Sequence, residues 1–547
     1  MKPLEKPART HVGHAYNEAM TRTRLAGLAS LAGLLALATA CGSDGPAPIL
    51  VGDAGPPAAG GVAFVHLFEW KWTDIARECE AYLGPKGFTA VQISPPTEHA
   101  WIATGDGAPY PWWMRYQPVS YSLDRSRSGT RAEFADMVSR CRAAGVSIYV
   151  DAVINHMANG AGTTTSAGEH PWGGKRYPGV PYNVGDFHAT CSISSYYSTT
   201  NVQRCELVGL PDLDTGSDYV RGKLADYLVD LTDLGVRGFR IDAAKHISPA
   251  DLGAIVGAVE ARAQARPFWF LEVIGSPGEA VQPGDYSAIS DSLATITEFQ
   301  YGAALFRSFA SGGTLASLRT FGEPPSLLPS SRAVAFTDNH DKQRGHAGGG
   351  NYLTYHDGVT YELANVFMLA WPYGYPALMS SYAFQTDTAF DRSYGPPHDP
   401  ATGATRGPWD GGATPACFDQ ARGGWVCEHR LRPIGNMVGF RAATMSDWLV
   451  SDWWDDGQNQ IAFGRGRSGF VVINAEPAPL TRAFQTSLPA GRYCDVISGD
   501  FTPAPAGGSG ATCTGTSVTV DAAGAATITV AGPGAAAIYV GARLDGP

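Results

Sequence analysis

GFRIDAAKH, running from Gly238 to His246, is the stretch on which the fold of this chain turns. It follows a helix-like segment, Ser217 to Leu234, whose apolar residues Val220, Leu224, Tyr227, Leu228, Leu231 and Leu234 recur on roughly a 3.6-residue period. Val236, Phe239 and Ile241 then open a short strand, and the two-residue period of a strand puts Arg240 and Asp242 on one side. An aspartate at a strand end beside an arginine is expected to keep a depressed pKa and stay ionised. That is the condition a carboxylate nucleophile must meet. For the dipeptide alone, an ordinary structural ion pair is the stronger reading. Two further carboxylates change the balance: Glu272 in FWFLEVI (Phe268 to Ile274) and Asp341 in AFTDNHD (Ala335 to Asp341). Each stands where a short apolar run ends, and acids at the ends of parallel strands meet at one face of a barrel.

Working outward, apolar β-branched runs at Val62–Phe68, Phe88–Ser94, Val146–Val153, Val236–Ile241, Phe268–Val273, Ala294–Thr297, Arg332–Phe336 and Val366–Leu378 alternate with helix-like segments. Eight such units predict an α/β fold, a (β/α)8 barrel. Between Asn155 and Asp214 the rhythm breaks into Gly, Thr, Ser and Pro, too long for a structureless loop and better read as a small domain inserted after the third strand. From about Trp448 short alternating strands take over, such as Ile461–Gly464, Gly469–Asn474, Ser517–Val520 and Ala526–Val530, which predicts an antiparallel β-sandwich. The expected division is a signal segment over 1–41, a linker over 42–61, the barrel over 62–154 and 214–447, the insert over 155–213 and the sandwich over 448–547.

Composition narrows the function. The 547 residues leave room for a large core, and a net charge of −11 with 17% charged residues and no basic run argues against a nucleic-acid surface. The 13 Trp and 23 Tyr supply aromatic faces of the kind that floor sugar sites, although most belong to the core. At the N-terminus, Arg22 and Arg24 precede an apolar stretch, Leu25 to Ala40, too short to span a membrane comfortably: an export signal. It closes on Ala38-Thr39-Ala40-Cys41-Gly42, which resembles a bacterial lipoprotein cleavage site with Cys41 carrying the lipid and tethering the protein to a membrane. An ordinary signal peptidase site after Ala40 is the alternative, and Met20 is an alternative start. Gly42 to Gly60 reads as a tether. Removing Cys41 leaves eight cysteines, an even number suited to disulfides outside the cytosol.

Four motifs stand in order along the chain: DAVINH (Asp151 to His156), GFRIDAAKH, FLEVI and FTDNHD. Together they make the chain resemble an α-amylase of glycoside hydrolase family 13, of the animal-type group shared by animals and some bacteria, and the export segment suggests a bacterial member. The resemblance implies an endo-acting hydrolase of α-1,4 links in starch, glycogen and maltooligosaccharides, working with retention and as a monomer. Its alternatives are a maltooligosaccharide-forming hydrolase or transglycosylase of the same family, or a non-catalytic glucan-binding surface protein, whose signature would be loss of one acid.

By motif position the resemblance makes Asp242 the nucleophile, Glu272 the acid/base and Asp341 the stabiliser of the distorted sugar. Phe270, Leu271 and Ile274 are expected to keep Glu272 protonated by desolvation. Arg240 would orient the nucleophile, and His156 and His340 would bond sugar hydroxyls. Trp112, Trp113, Tyr116 and Gln117, in PWWMRYQP, match a glucose-stacking stretch; Tyr196, Lys245, His246 and Ile274 match flanking subsites; His346, in GHAGGG, matches a loop that closes on substrate. A structural calcium ion would take the side chains of Asn155 and Asp212 and the backbone carbonyls of Gln203 and His246. The implied disulfides are Cys79–Cys141, Cys191–Cys205, Cys417–Cys427 and Cys494–Cys513. The chain departs from the resemblance at the chloride site: Arg240 and Asn339 match, but Ala377 stands where a second arginine is expected, so chloride is expected to be absent.

Overall fold

Eight short strands close a parallel barrel in sequence order: β1 (Phe64–Leu67), β2 (Ala90–Ile93), β3 (Ser147–Ala152), β4 (Gly238–Ile241), β5 (Phe268–Leu271), β6 (Thr295–Thr297), β7 (Ala333–Phe336) and β8 (Tyr375–Ser380), with β8 pairing back to β1. This computed structural model describes residues 49–50, 60–289, 294–322, 327–346, 350–505 and 510–545. The export segment with Cys41 lies outside the described residues, as does most of the tether.

The barrel interior is filled by rings. Phe64 lies 5.6 Å from Tyr149, 5.3 Å from Phe270 and 4.9 Å from Tyr375 between ring centroids, in tilted and edge-on arrangements that suit aromatic quadrupoles. The outer helices are α1 (Trp72–Glu78), α2 (Arg131–Ala143), α3 (Asp218–Asp233), α4 (Pro249–Glu260), α5 (Phe299–Ala310), α6 (Val359–Ala370) and α7 (Arg432–Ala443). Local signals start them: Thr130 and Glu133 form a reciprocal capping box at α2, and Ser248 caps α4, whose first residue is Pro249. Helix α3 realises the periodic segment before GFRIDAAKH, with Val220, Leu224, Leu228 and Leu231 buried.

The run Val366–Leu378 is not one strand. Its first part, Val366–Ala370, ends helix α6, and only after Pro372-Tyr373-Gly374 does strand β8 begin. Helix α6 is buried nearly all round, so no amphipathic pattern marked it as a helix.

The segment after β3 carries a hairpin, Ala161–Thr165 with Gly168–Gly173, a short helix Thr199–Arg204 and the Cys191–Cys205 disulfide. The other three disulfides are Cys79–Cys141, Cys417–Cys427 and Cys494–Cys513, so all four implied pairs form.

Towards the C-terminus, β9 (Leu449–Asp455), β10 (Gln460–Arg465), β11 (Gly469–Asn474) and β16 (Gly534–Tyr539) form an antiparallel sheet. Facing strands pair as β12 (Leu480–Gln485) with β15 (Ala525–Val530) and β13 (Gly491–Cys494) with β14 (Ser517–Val520). Strands β14 and β15 alternate buried and exposed positions as expected. Strands β10 and β11 do not: one face, with Ala462, Phe470 and Val472, packs inside the sandwich, and the other, with Ile461, Phe463, Val471 and Ile473, joins the barrel's core. The tether is not wholly free of structure either. Ile49 and Leu50 pair with Val450 and Leu449, because the outer edge of β9 leaves backbone groups open to another strand.

Candidate active site

The strand register brings the chemistry together. Arg240 on β4 lies level with Asp151 on β3 and Phe270 on β5, so the residues just beyond, Asp242 and Glu272, emerge side by side at the carboxyl rim. The Arg240 guanidinium contacts three carboxylates: Nη1 donates to Asp151 Oδ1 at 2.6 Å and to Asp242 Oδ1 at 2.9 Å, and Nη2 lies 2.5 Å from Glu272 Oε1. The Glu272 contact is an ion pair without hydrogen-bond alignment. Directly after Asp242, Ala243 takes a left-handed conformation with φ 49°, costly for a residue with a Cβ, and aims its N–H at Glu272 Oε2, 2.9 Å away.

This geometry corrects two expectations. Burial pushes Asp242 well above the usual carboxylate range, and with Glu272 and Asp151 it outweighs the opposing pull of the shared Arg240. Of the apolar neighbours foreseen for Glu272, only Ile274 shares its cleft. Phe270 and Leu271 turn into two separate core clusters, and a guanidinium and a backbone N–H meet the carboxylate instead. Burial also pushes Asp151 up to about 6 against the pull of Arg240. Asp151 and Asp242 therefore titrate together around the one guanidinium, and their apparent values belong to the pair.

Above the rim opens a cleft of about 670 Å³. It gathers Asp242, Glu272 and Asp341 with Trp112, Trp113, Tyr116, Gln117, His156, Tyr196, Lys245, His246, Ile274, His340 and His346. Arg240 lies beneath this cleft, and Gln203 stands aside from it, bonded to the Tyr286 hydroxyl at 3.2 Å. The floor is anchored: Trp112 Nε1 donates to the Arg392 carbonyl at 2.8 Å, and Tyr116 stacks on His340 with centroids 5.4 Å apart. Burial pushes the imidazoles of His156, to about 4, and of His340 below their usual value, so both are neutral at the cleft; His156 Nε2 donates to the Tyr116 carbonyl at 3.1 Å, while His340 Nδ1 has no hydrogen-bond partner among the described residues. Lys245 is largely committed, its Nζ 2.6 Å from both the Ile274 carbonyl and Glu279 Oε2.

Sequence reasoning passed over several groups. Asp151 opens the quoted DAVINH and also accepts from the Tyr116 hydroxyl at 2.9 Å; its match to Arg240 appears only in the strand register. Leu207, Val208, Leu210, Ser276 and Glu279 line the cleft from loops without periodicity.

An eight-stranded parallel barrel whose carboxyl rim sets Asp242, Glu272 and Asp341 in one aromatic-floored cleft, the first two on a shared guanidinium, defines a glycoside hydrolase of the amylase class. Comparison with known proteins agrees. Residues 81–253 match the α-amylase catalytic domain family and residues 451–541 the α-amylase C-terminal all-beta domain family. The chain is similar to the α-amylase of Tribolium castaneum, 46% identical over 494 residues that cover 88% of this chain and 94% of that protein. It is 45% identical to the pancreatic α-amylase of Sus scrofa over 493 residues, covering 86% and 92%. The structure of α-amylase I from Eisenia fetida superposes with a TM-score of 0.78 at 40% identity, covering 91% of this chain and 99% of that one. The chain belongs to the α-amylase family, glycoside hydrolase family 13.

Beneath the rim a second acidic pair braces Asp341. Asn339 Oδ1 caps the turn His340–Gln343 by accepting from Lys342 N at 2.8 Å. Gln343 Nε2 reaches Asp338 Oδ2 at 2.8 Å and Glu428 Oε1 at 3.1 Å; Tyr361 donates to Asp338 and Ser381 to Glu428. Burial raises both carboxyls, Asp338 the more strongly, and Glu428 adds to the rise at Asp338. A folded-state pKa above the unfolded value makes such a group increasingly destabilising as pH climbs from the unfolded value through the folded one. The melting temperature of Asp338→Asn should therefore fall less steeply than wild type between about pH 5 and 8. Parallel curves in thermal melts would remove Asp338 as the source.

Proposed function

We propose that the protein is an α-amylase cutting internal α-1,4 bonds of starch, glycogen and longer maltooligosaccharides with retention of configuration. The observation that carries the reading is the pairing of Asp242 and Glu272 on the two terminal nitrogens of Arg240, at the base of the aromatic cleft. Retaining chemistry needs two carboxyls about 5–5.5 Å apart, one attacking the anomeric carbon and one protonating the leaving oxygen. Asp242 forms the ester to the sugar while Glu272 gives its proton to the departing glycosidic oxygen. Glu272, now a base, takes a proton from water as that water breaks the ester. The first step calls for Asp242 ionised and Glu272 protonated. Asp341 offsets charge on the oxocarbenium-like sugar, and neutral His156 and His340 bond its hydroxyls. Among relatives, a glutamine-for-glutamate variant of the Eisenia fetida enzyme is described in complex with maltohexaose.

Glu272→Gln should lose turnover of soluble starch by at least about 10²–10⁴-fold, while still binding maltohexaose in a calorimeter. Activity above roughly a tenth of wild type would remove Glu272 from the acid/base role. Chromatography of the starch digest separates mixed short oligosaccharides, expected for internal cutting, from one dominant product.

A calcium ion fits beside the cleft. Asp212 is buried, burial raises it to about 6, and its Oδ1 has no hydrogen-bond partner among the described residues. The His156–Asp212 bridge brings Asn155 alongside. His246 Nδ1 donates to the Val202 carbonyl at 2.8 Å, which draws the helix bearing Gln203 to the turn bearing His246. Among the described residues no three His, Cys, Asp or Glu side chains cluster as a metal site, so the set relies on an amide and carbonyls, ligands suited to calcium. The ion would supply a structural tie between the inserted segment and the barrel. Exhaustive chelation should lower the melting temperature, and calcium alone should restore it; an unchanged melt with metal absence verified rejects the site.

Chloride does not fit. The cavity beside Arg240, about 30 Å³, is lined by Phe270, Val334, Phe336 and Ala377 and by His66 and His340, whose imidazoles burial holds well below their usual pKa, so no second permanent cation faces it. Both Arg240 terminal nitrogens already meet carboxylates. Activity in chloride-free buffer should equal that with sodium chloride at matched ionic strength; several-fold activation overturns this.

Four disulfides support export. A bacterial lipoprotein is the reading of the export segment alone, whereas the relatives named above are animal proteins. Fatty-acid labelling of wild type against Cys41→Ser decides the anchor.

A further inference from the structure

Tyr197 is an apolar ring that the fold leaves in solvent. Its side chain is 75% exposed, yet it sits next to the cleft-lining Tyr196 and against the loop that follows Glu272. That loop is held rigidly. Glu279 Oε2 accepts from Lys245 Nζ at 2.6 Å and from Ser276 N at 3.1 Å, and Ala280 N donates to the Tyr196 carbonyl at 2.9 Å. Lys245 Nζ also lies 4.7 Å from the centroid of the Tyr196 ring. At its apex Gly278 takes φ 85°, and a Cβ there would come 3.7 Å from Tyr197 Cε1. The backbone thus approaches the ring from one side, and no side chain at 278 covers it.

We propose that Tyr197 is a specificity-determining residue: a stacking platform that extends the cleft on its leaving-group side and binds a glucose unit of the α-glucan beyond Lys245 and Glu279. The proposal rests on the glucan-hydrolase reading above. Direction follows from chemistry. The acid that protonates the leaving oxygen faces the departing half of the substrate, and Tyr197 abuts the loop continuing from that acid. The tryptophan floor, in contrast, lies with His340 and His346, Trp112 being 5.5 and 5.8 Å from them between centroids. Continuity supplies the occupant: Tyr196, Ser276 and Glu279 line the cleft, and Tyr197 follows Tyr196 in the chain and lies against Gly278 of the loop that carries Ser276 and Glu279. A rigid, half-apolar ring with a hydroxyl edge suits the alternating CH and OH faces of a pyranose.

The test uses the full-length protein with maltotriose and with maltoheptaose labelled at its reducing end. Tyr197→Ala should lower the ratio of kcat/KM for maltoheptaose to that for maltotriose by about three- to tenfold. Its labelled products should shorten, because cleavage moves towards the reducing end when a distant leaving-group subsite is lost. Tyr197→Trp should restore both the ratio and the pattern. An unchanged ratio with an unchanged label pattern overturns the platform, as does an equal loss on both substrates. Absence of wild-type turnover on any glucan would instead overturn the underlying hydrolase reading.

Discussion

The Arg240 guanidinium, buried under three carboxylates, is the contact on which the rest of this site depends. Taking ions out of water costs several kcal/mol each, offset only where partners are close and well aimed. Here one cation serves Asp151, Asp242 and Glu272, so the fold must hold all four side chains in register or leave charge uncompensated. Parallel pairing of β3, β4 and β5 does that, because a barrel without edges cannot slip by a residue without turning its interior side chains outward. The same framework sustains the left-handed backbone at Ala243, a strain of about 1–3 kcal/mol in general terms.

That sharing also explains why the protonation of the site was misread from one strand. Arg240 and Asp242 are neighbours in GFRIDAAKH, and a private pair would keep the aspartate ionised. The competing carboxylates arrive from strands separated by many residues, and no period within one motif discloses cross-strand register. The barrel itself was legible, since seven of its strands fall within apolar runs bounded by turn residues. The three rim acids were legible as well, because each ends such a run. Asp151 was visible as a letter but not as a partner.

Elsewhere, misreadings share one cause: burial on both sides erases the periodicity that distinguishes helix from strand. Helix α6 and strands β10 and β11 are apolar nearly throughout, for they lie between the barrel and the sandwich. What joins those layers is partly polar. Arg465 donates to the Ala370 carbonyl at 2.6 Å and Arg441 to the Gly374 carbonyl at 2.8 Å, satisfying acceptors where α6 ends and β8 approaches. Trp371 then packs edge-on against Phe463 of the sandwich, 5.2 Å between centroids. The C-terminal sheet thus covers the barrel's last unit, and its inner and outer faces belong to two different cores.

The cleft inherits an asymmetry from this construction. Its tryptophan side rests on contacts to the loop after β8, Trp112 on the Arg392 carbonyl and Trp113 on the Ser393 hydroxyl at 3.2 Å. Its opposite side borrows Tyr196 from the inserted segment and ties it through Lys245, Glu279 and the Ala280 N–H to the loop after β5. One wall is therefore anchored within the barrel's own loops, the other across two parts of the chain. Loops carry the residues that differ most freely between relatives of one fold. An enzyme built this way keeps its acids on strand ends, where register fixes them, and keeps adjustable the wall that crosses from the inserted segment to the loop after β5.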